Sequence, residues 1–310
     1  MKSIAVVSMF TLVCLTPSSS DAREIERSHG FKAIFVIGDS ISDTGNLWFL
    51  TNGDQPRRHS NGKLYIDYLS GYYRLGEMLP SLLGGTNYAV SGAGVGPGWD
   101  FDWPGTSAME QFETYLGLAG GRGDEKAFYI VQIGANEFVN QILNFGWNGA
   151  ASGEETANDL ETLLHRVAST PGVEHLAVMT TPDITTAPVA AFLEQFVPGF
   201  TANCATASSI YNARLVEIVR SLREECRNEE GEHRGDHSCV KDVRVIDFFG
   251  LLAKIMAHPE AYGITDTTTA CSGFLAPGGV TCSNPNEHVF WDHSHPSERI
   301  HQLLFELFVK

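Results

Sequence analysis

The sequence predicts an α/β protein built on a parallel sheet with helices on both faces. Short apolar, β-rich runs alternate along the chain with longer segments of helical periodicity. The first of these runs ends in Gly38-Asp39-Ser40, which places a hydroxyl at the carboxyl end of a strand. In open α/β sheets that edge is where ligands bind. Size agrees: 310 residues with 43% hydrophobic content provide an ample core. No internal repeat, low-complexity tract or dividing linker is visible, so one domain is expected.

Each element has a local reason. Ala33-Ile34-Phe35-Val36-Ile37 reads as a short buried strand, and Ser42 and Asp43 suit the start of a helix. Residues 65–79 read as a helix interrupted by Gly71 and Gly76, and residues 84–90 as a short strand. Residues 127–133 form the clearest central strand. Residues 154–169 carry Ala157, Leu160, Leu163, Leu164 and Val167 near helical spacing and stop before Pro171-Gly172. A strand at 173–179 follows, then a long helix at 205–226 with Ile210, Leu215, Ile218, Val219 and Leu222 on one face. A last strand at 243–248 and a closing helix at 296–309, with proline in its first turn, complete the order. Two long irregular tracts, 94–105 and 263–288, are expected to shape a substrate entrance.

The chemistry rests on four segments. Gly38-Asp39-Ser40-Ile41-Ser42-Asp43-Thr44-Gly45-Asn46 follows the first strand and lacks the Gly-x-Ser-x-Gly elbow of α/β-hydrolases. A serine hydroxyl becomes a good nucleophile only when a base takes its proton and an acceptor holds that base in one tautomer. Near the other terminus, Asp292-His293-Ser294-His295-Pro296 offers such a pair, with His295 as base and Asp292 as acceptor. His293 and His288 compete for the role of base. His293 adjoins Asp292 in sequence, which makes a ring-to-carboxylate bond awkward, and His288 reads as a loop histidine. Between them lie Asn87-Tyr88-Ala89-Val90-Ser91-Gly92-Ala93 and Ile130-Val131-Gln132-Ile133-Gly134-Ala135-Asn136-Glu137.

In this order the four segments resemble blocks I, II, III and V of the GDSL, or SGNH, serine hydrolases. Thr181-Pro182-Asp183-Ile184 is similar to that family's Pro-Asp turn. The resemblance implies a flavodoxin-like three-layer α/β/α sandwich with about five parallel strands. It implies a catalytic triad of Ser40, Asp292 and His295, and an oxyanion site from the Ser40 N–H, the Gly92 N–H and the Asn136 side chain. Such donors are commonly the largest catalytic term. No cofactor and no metal is implied. Asp39 and Asp43 read as supporting residues, and Glu137 as a hydrogen-bond partner behind Asn136.

The amino terminus has a lysine, an apolar run from Ile4 to Leu15 and a small-residue exit through Ala22. This is the pattern of a signal peptide over 1–22, leaving 23–310 as an exported hydrolase domain. The apolar centre is too short to serve comfortably as a transmembrane anchor. Cys204, Cys226, Cys239, Cys271 and Cys282 remain, and two disulfides with one odd thiol allow fifteen connectivities. The local pairs Cys226–Cys239 and Cys271–Cys282 are preferred, with Cys204 a buried thiol. No close Cys-x-x-Cys pair favours zinc. The net charge of −16 argues against a nucleic acid or anionic membrane partner and suits a soluble surface. No Asn-x-Ser/Thr sequon occurs.

The expected activity is hydrolysis of carboxylic esters through an acyl-enzyme on Ser40. Phospholipase or acyltransferase chemistry of the same family is the alternative, as is a non-catalytic exported binding protein with the same fold. A paired-carboxylate hydrolase would leave Ser40 without a role. The partner is a small-molecule, lipid or polysaccharide ester.

Overall fold

The computed structural model describes residues 30–100, 105–229, 240–279 and 281–310. The expected signal peptide, Cys239 and part of the 94–105 tract lie outside the described residues. In chain order the elements are β1 (Ala33–Gly38), α1 (Asn46–Leu50), α2 (Tyr65–Tyr72), α3 (Ala108–Leu118), β2 (Ala127–Gln132), α4 (Ala135–Phe145), α5 (Gly149–Ala168), β3 (His175–Met179), α6 (Pro188–Glu194), α7 (Phe200–Glu229), β4 (Asp242–Ile246), α8 (Phe248–Ala257), β5 (Asp266–Ala270), β6 (His288–Phe290) and α9 (Glu298–Val309). Among the described residues no helix is long and apolar enough to cross a membrane.

β1 to β4 form one parallel sheet in that order, with Gly38 opposite Gln132 and Gln132 opposite Met179. All six residues of β2 are buried, as a central strand covered on both faces requires. Alternate side chains enter opposite layers. Ile37, Tyr129, Val131, Leu176 and Val178 pack under α3, α5 and α7. Ile34, Val36, Phe128, Ile130, Ala177 and Met179 pack under α2, α8 and α9. The result is the expected three-layer α/β/α sandwich.

The expected strand at 84–90 takes a different form. The N–H of Val36 donates to Thr86 (3.1 Å), and the N–H groups of Tyr88 and Val90 donate to Val36 (2.8 Å) and Gly38 (3.1 Å). The segment therefore runs parallel to β1 where a fifth strand would sit, but it makes only single bridges there. The Asn46 amide takes the outward carbonyls of Asn87 and Ala89, at 2.8 and 2.9 Å. Loop fixation replaces extension of the sheet.

Other boundaries move for identifiable reasons. α2 stops early because Arg74 and Gly76 adopt positive φ, 58° and 90°. α5 starts earlier than its apolar periodicity indicates, capped by the Asn148 side chain, which accepts from the Ala151 N–H at 2.9 Å. Its Gly149 and Gly153 lie directly against the α7 backbone, where a Cβ would meet the carbonyls of Asn203 and Ala207. The irregular tract at 263–288 contains β5, which pairs in parallel with β6. His288 is accordingly a buried residue of β6, and not a loop histidine. The Cys271–Cys282 disulfide is present, Cys226 is disulfide-bonded, and Cys204 is a buried free thiol.

Candidate active site

β1 delivers Gly38-Asp39-Ser40 to the carboxyl edge of the sheet. The Gln111 side chain pins Gly38 from α3, accepting from its N–H and donating to its carbonyl, each at 2.8 Å. Asp39 accepts from the Ile41 N–H at 3.0 Å and the Gln132 amide at 2.9 Å. Burial pushes its carboxyl up to about 6. Asp43 accepts from the N–H groups of Gly45 and Asn46, both at 2.7 Å, and from the Ser91 N–H and hydroxyl at 2.9 and 3.0 Å. One carboxylate thus ties the loop after Ser40 to the turn that holds Gly92. Both aspartates, read from the sequence as supporting residues, are engaged in hydrogen bonds to the surrounding loops.

The structure brings Ser40, Asp292 and His295 together. Ser40 Oγ lies 2.8 Å from His295 Nε2, and His295 Nδ1 lies 2.9 Å from both Asp292 oxygens. An ionised carboxylate only accepts, so Nδ1 carries the proton and Nε2 offers its lone pair to the hydroxyl. Asp292 also accepts from the N–H groups of Ser294 (2.9 Å) and His295 (2.8 Å). This turn is why Asp-x-x-His spacing suffices: the loop folds around the carboxylate and returns the imidazole to it. The His295 imidazole, the Ser294 N–H and the other donors hold the Asp292 carboxyl far below the usual carboxylate range, despite burial. Burial lowers the His295 pKa more than the Asp292 charge restores it.

Asn136 stands in the first turn of α4, and its side chain donates to the Ala93 carbonyl at 3.1 Å. The amide has a second hydrogen, and Asn136 lines the same cavity as Ser40 and His295. Gly134, just before α4, has φ 130°, and a Cβ there would meet the Tyr211 ring. That is a position only glycine fills. Gly92 also needs its freedom, with φ 86°. The Ser40 and Gly92 N–H groups make no hydrogen bond to a described residue. Glu137 accepts from the N–H groups of Val95 (2.8 Å) and Gly96 (3.0 Å), fixing the segment after Gly92 to α4. Burial, together with nearby Asp159, raises the Glu137 pKa, so this pair retains a proton.

The sequence from 34 to 308 matches the family described as GDSL-like Lipase/Acylhydrolase. The chain belongs to the GDSL-like lipase/acylhydrolase family. Its relatives include the anther-specific proline-rich protein APG of Brassica napus, 26% identical over 90% of this chain and 71% of that one. GDSL esterase/lipase 6 of Arabidopsis thaliana is 25% identical, over 96% of this chain and 91% of its own. A solved acetylxylan esterase of Geobacillus stearothermophilus aligns with a TM-score of 0.44 and 15% identity, over 91% of this chain and 94% of that one. That likeness is too loose to transfer a substrate. As a GDSL-family member, the chain is a serine ester hydrolase.

The other histidines of this GDSL protein separate clearly. His293 Nδ1 is 3.9 Å from Asp292, its ring packs on Phe274, and its carbonyl accepts from the Val189 N–H at 2.8 Å. His288 lies 3.8 Å from Asp266 in the small sheet. Sequence reading missed His59. Its ring packs on His295 with centroids 4.3 Å apart, and its Nδ1 is 3.9 Å from Asp292 Oδ2. No motif surrounds His59, so no local signal marks it. His59, Asp292 and His295 offer ligand atoms within 4.8 Å of one another, a spacing that could hold a metal ion. The Asp292–His295 hydrogen bond already uses two of those groups.

Proposed function

We propose that Ser40, His295 and Asp292 are the catalytic triad of this ester hydrolase. The observation that carries the reading is the continuous relay Ser40 Oγ–His295 Nε2 and His295 Nδ1–Asp292. Ser40 Oγ attacks the ester carbonyl as Nε2 takes its proton, and Asp292 stabilises the resulting imidazolium. The carbonyl oxygen becomes an oxyanion received by the N–H groups of Ser40 and Gly92 and by the free hydrogen of Asn136. Collapse of the tetrahedral intermediate expels the alkoxide, which leaves with the proton from His295. Water then attacks the acyl-Ser40 ester, giving its proton to Nε2, and the acid departs as Ser40 regains its hydrogen. The depressed His295 pKa keeps Nε2 unprotonated at neutral pH.

Export is part of this reading. The charged start and short apolar run at the amino terminus support it, as does the Cys271–Cys282 disulfide, a bond that persists in oxidising compartments. Ser40→Ala should remain folded and lose hydrolysis of p-nitrophenyl esters. A fluorophosphonate probe should label wild type and not the variant. Undiminished turnover by folded Ser40→Ala would remove Ser40 from the mechanism.

A further inference from the structure

We propose that the cavity beside Ser40 is an acyl-chain site for medium-length fatty acyl groups, of about eight carbons, an inference that rests on the ester chemistry proposed for Ser40. The cavity measures about 290 Å³. Its polar lining comes from Asp39, Ser40, Gln132, Asn136, Thr181 and the His293–His295 loop, and the rest of its lining is apolar. One wall is α4, through Val139 and Leu143; the other is α6 and the start of α7, through Ala190, Leu193 and Phe200. A small core cluster that includes Phe138, Ile142, Ala190 and Phe200 backs these walls. The hydrocarbon on both helical walls suits an acyl chain better than a sugar, whose hydroxyls those walls would leave unpaired.

The reaction orients the substrate in it. The alkoxide must leave beside His295 Nε2 to receive its proton, and the oxyanion must lie by Asn136. The remaining substituent of the tetrahedral carbon is the acyl chain. It is directed away from His295 along the helix that bears Asn136, where Val139 and Leu143 follow at one and two turns. From Asn136 to Leu143 that helix rises about 10 Å, the reach of an extended chain of about eight carbons. At about 30 Å³ for each small group, the cavity volume, which includes the catalytic end, sets an upper bound of about nine or ten groups. The helical length lies within that bound.

The test is kcat/KM for p-nitrophenyl acetate, butyrate, hexanoate, octanoate, decanoate and palmitate with the whole protein. The value should climb about two- to fourfold per added methylene as far as octanoate and then fall. Ala190→Phe, which intrudes on the chamber, should lower the octanoate-to-acetate ratio by about tenfold. Leu143→Ala, at a half-buried site that a folded protein tolerates, should move the optimum to longer chains. A maximum at acetate, or a continued rise to palmitate with both variants matching wild type, overturns the acyl site. Failure of the underlying chemistry looks different: no ester is turned over and fluorophosphonate leaves Ser40 unlabelled.

Discussion

Behind Ser40 stands the four-stranded sheet; behind His295 stand two short strands and a disulfide. The proposed nucleophile follows directly from β1, and Gln111, Gln132 and Asp43 bond the backbone around it to α3, β2 and the Gly92 turn. The proposed base sits on a loop whose framework is mostly local, the Val189 N–H bond to the His293 carbonyl apart. Trp291 donates to the His295 carbonyl at 2.8 Å, Ser272 donates to that of Trp291 at 2.8 Å, and Cys271 donates to that of Phe290 at 3.1 Å. The Cys271–Cys282 bridge closes the segment that supplies the last two of these donors. One half of the site is therefore as stable as the sheet. The other depends on a patch of backbone pairing that a covalent bond reinforces.

The largest expected effect tests which histidine completes the second half. His295→Ala should lower kcat by about 10⁴- to 10⁶-fold, and His293→Ala by less than about tenfold. The acid limb of kcat/KM should lie below about 6.5, because burial lowers the His295 pKa and the protonated ring cannot accept from Ser40. Steady-state kinetics of the two variants check the ranking and the pH profile of wild type checks the limb; the opposite ranking would move the base to His293. Next in size is Asn136→Ala, on the sheet side, which should cost about 10²–10³ in kcat with KM little altered. A rise in KM at constant kcat would instead make Asn136 a substrate-binding group. The smallest effect concerns the scaffold. Replacing Cys271 and Cys282 together by serine should lower unfolding stability by about 2–4 kcal/mol in a denaturant titration. The same variant should lose about tenfold in kcat, as the base loop loosens while the sheet side stays put. Unchanged kcat in a destabilised protein would separate the bridge from the base and undo the contrast.

How readable each part was follows from how local its determinants are. Ser40, Gly92, Asn136, Asp292 and His295 stood out because each falls in a short segment whose residue types and spacing mirror a chemical need. The sandwich was readable because β1, β2 and β3 are largely apolar runs. β5 was not, since Asp-Thr-Thr-Thr-Ala has no hydrophobic periodicity, and β6 has only three residues. α4 was hidden because block III reads as a strand followed by a motif, although its apolar face runs on through Phe138 and Ile142. His59 and the acyl chamber depend on which loops and helices meet in space, and no window of sequence contains that. The strand expected at 84–90 failed to extend because the Asn46 side chain outcompetes a further strand for its carbonyls.

Ser40 and His295 are 255 residues apart, so their hydrogen bond closes nearly the whole folded chain into one loop. Contacts of such separation are paid for in loop entropy before they return anything, and they form late. During synthesis the sheet can assemble with the proposed nucleophile and oxyanion donors in place while the proposed base is still absent. Chemistry begins only when the segment from Asp292 onward arrives and α9 packs against α2, burying Ile300, Leu304 and Phe308 beside Leu64 and Leu69. A chain cut short before that point would be a folding intermediate with no means of attack, and completion of the polypeptide is itself the step that arms it.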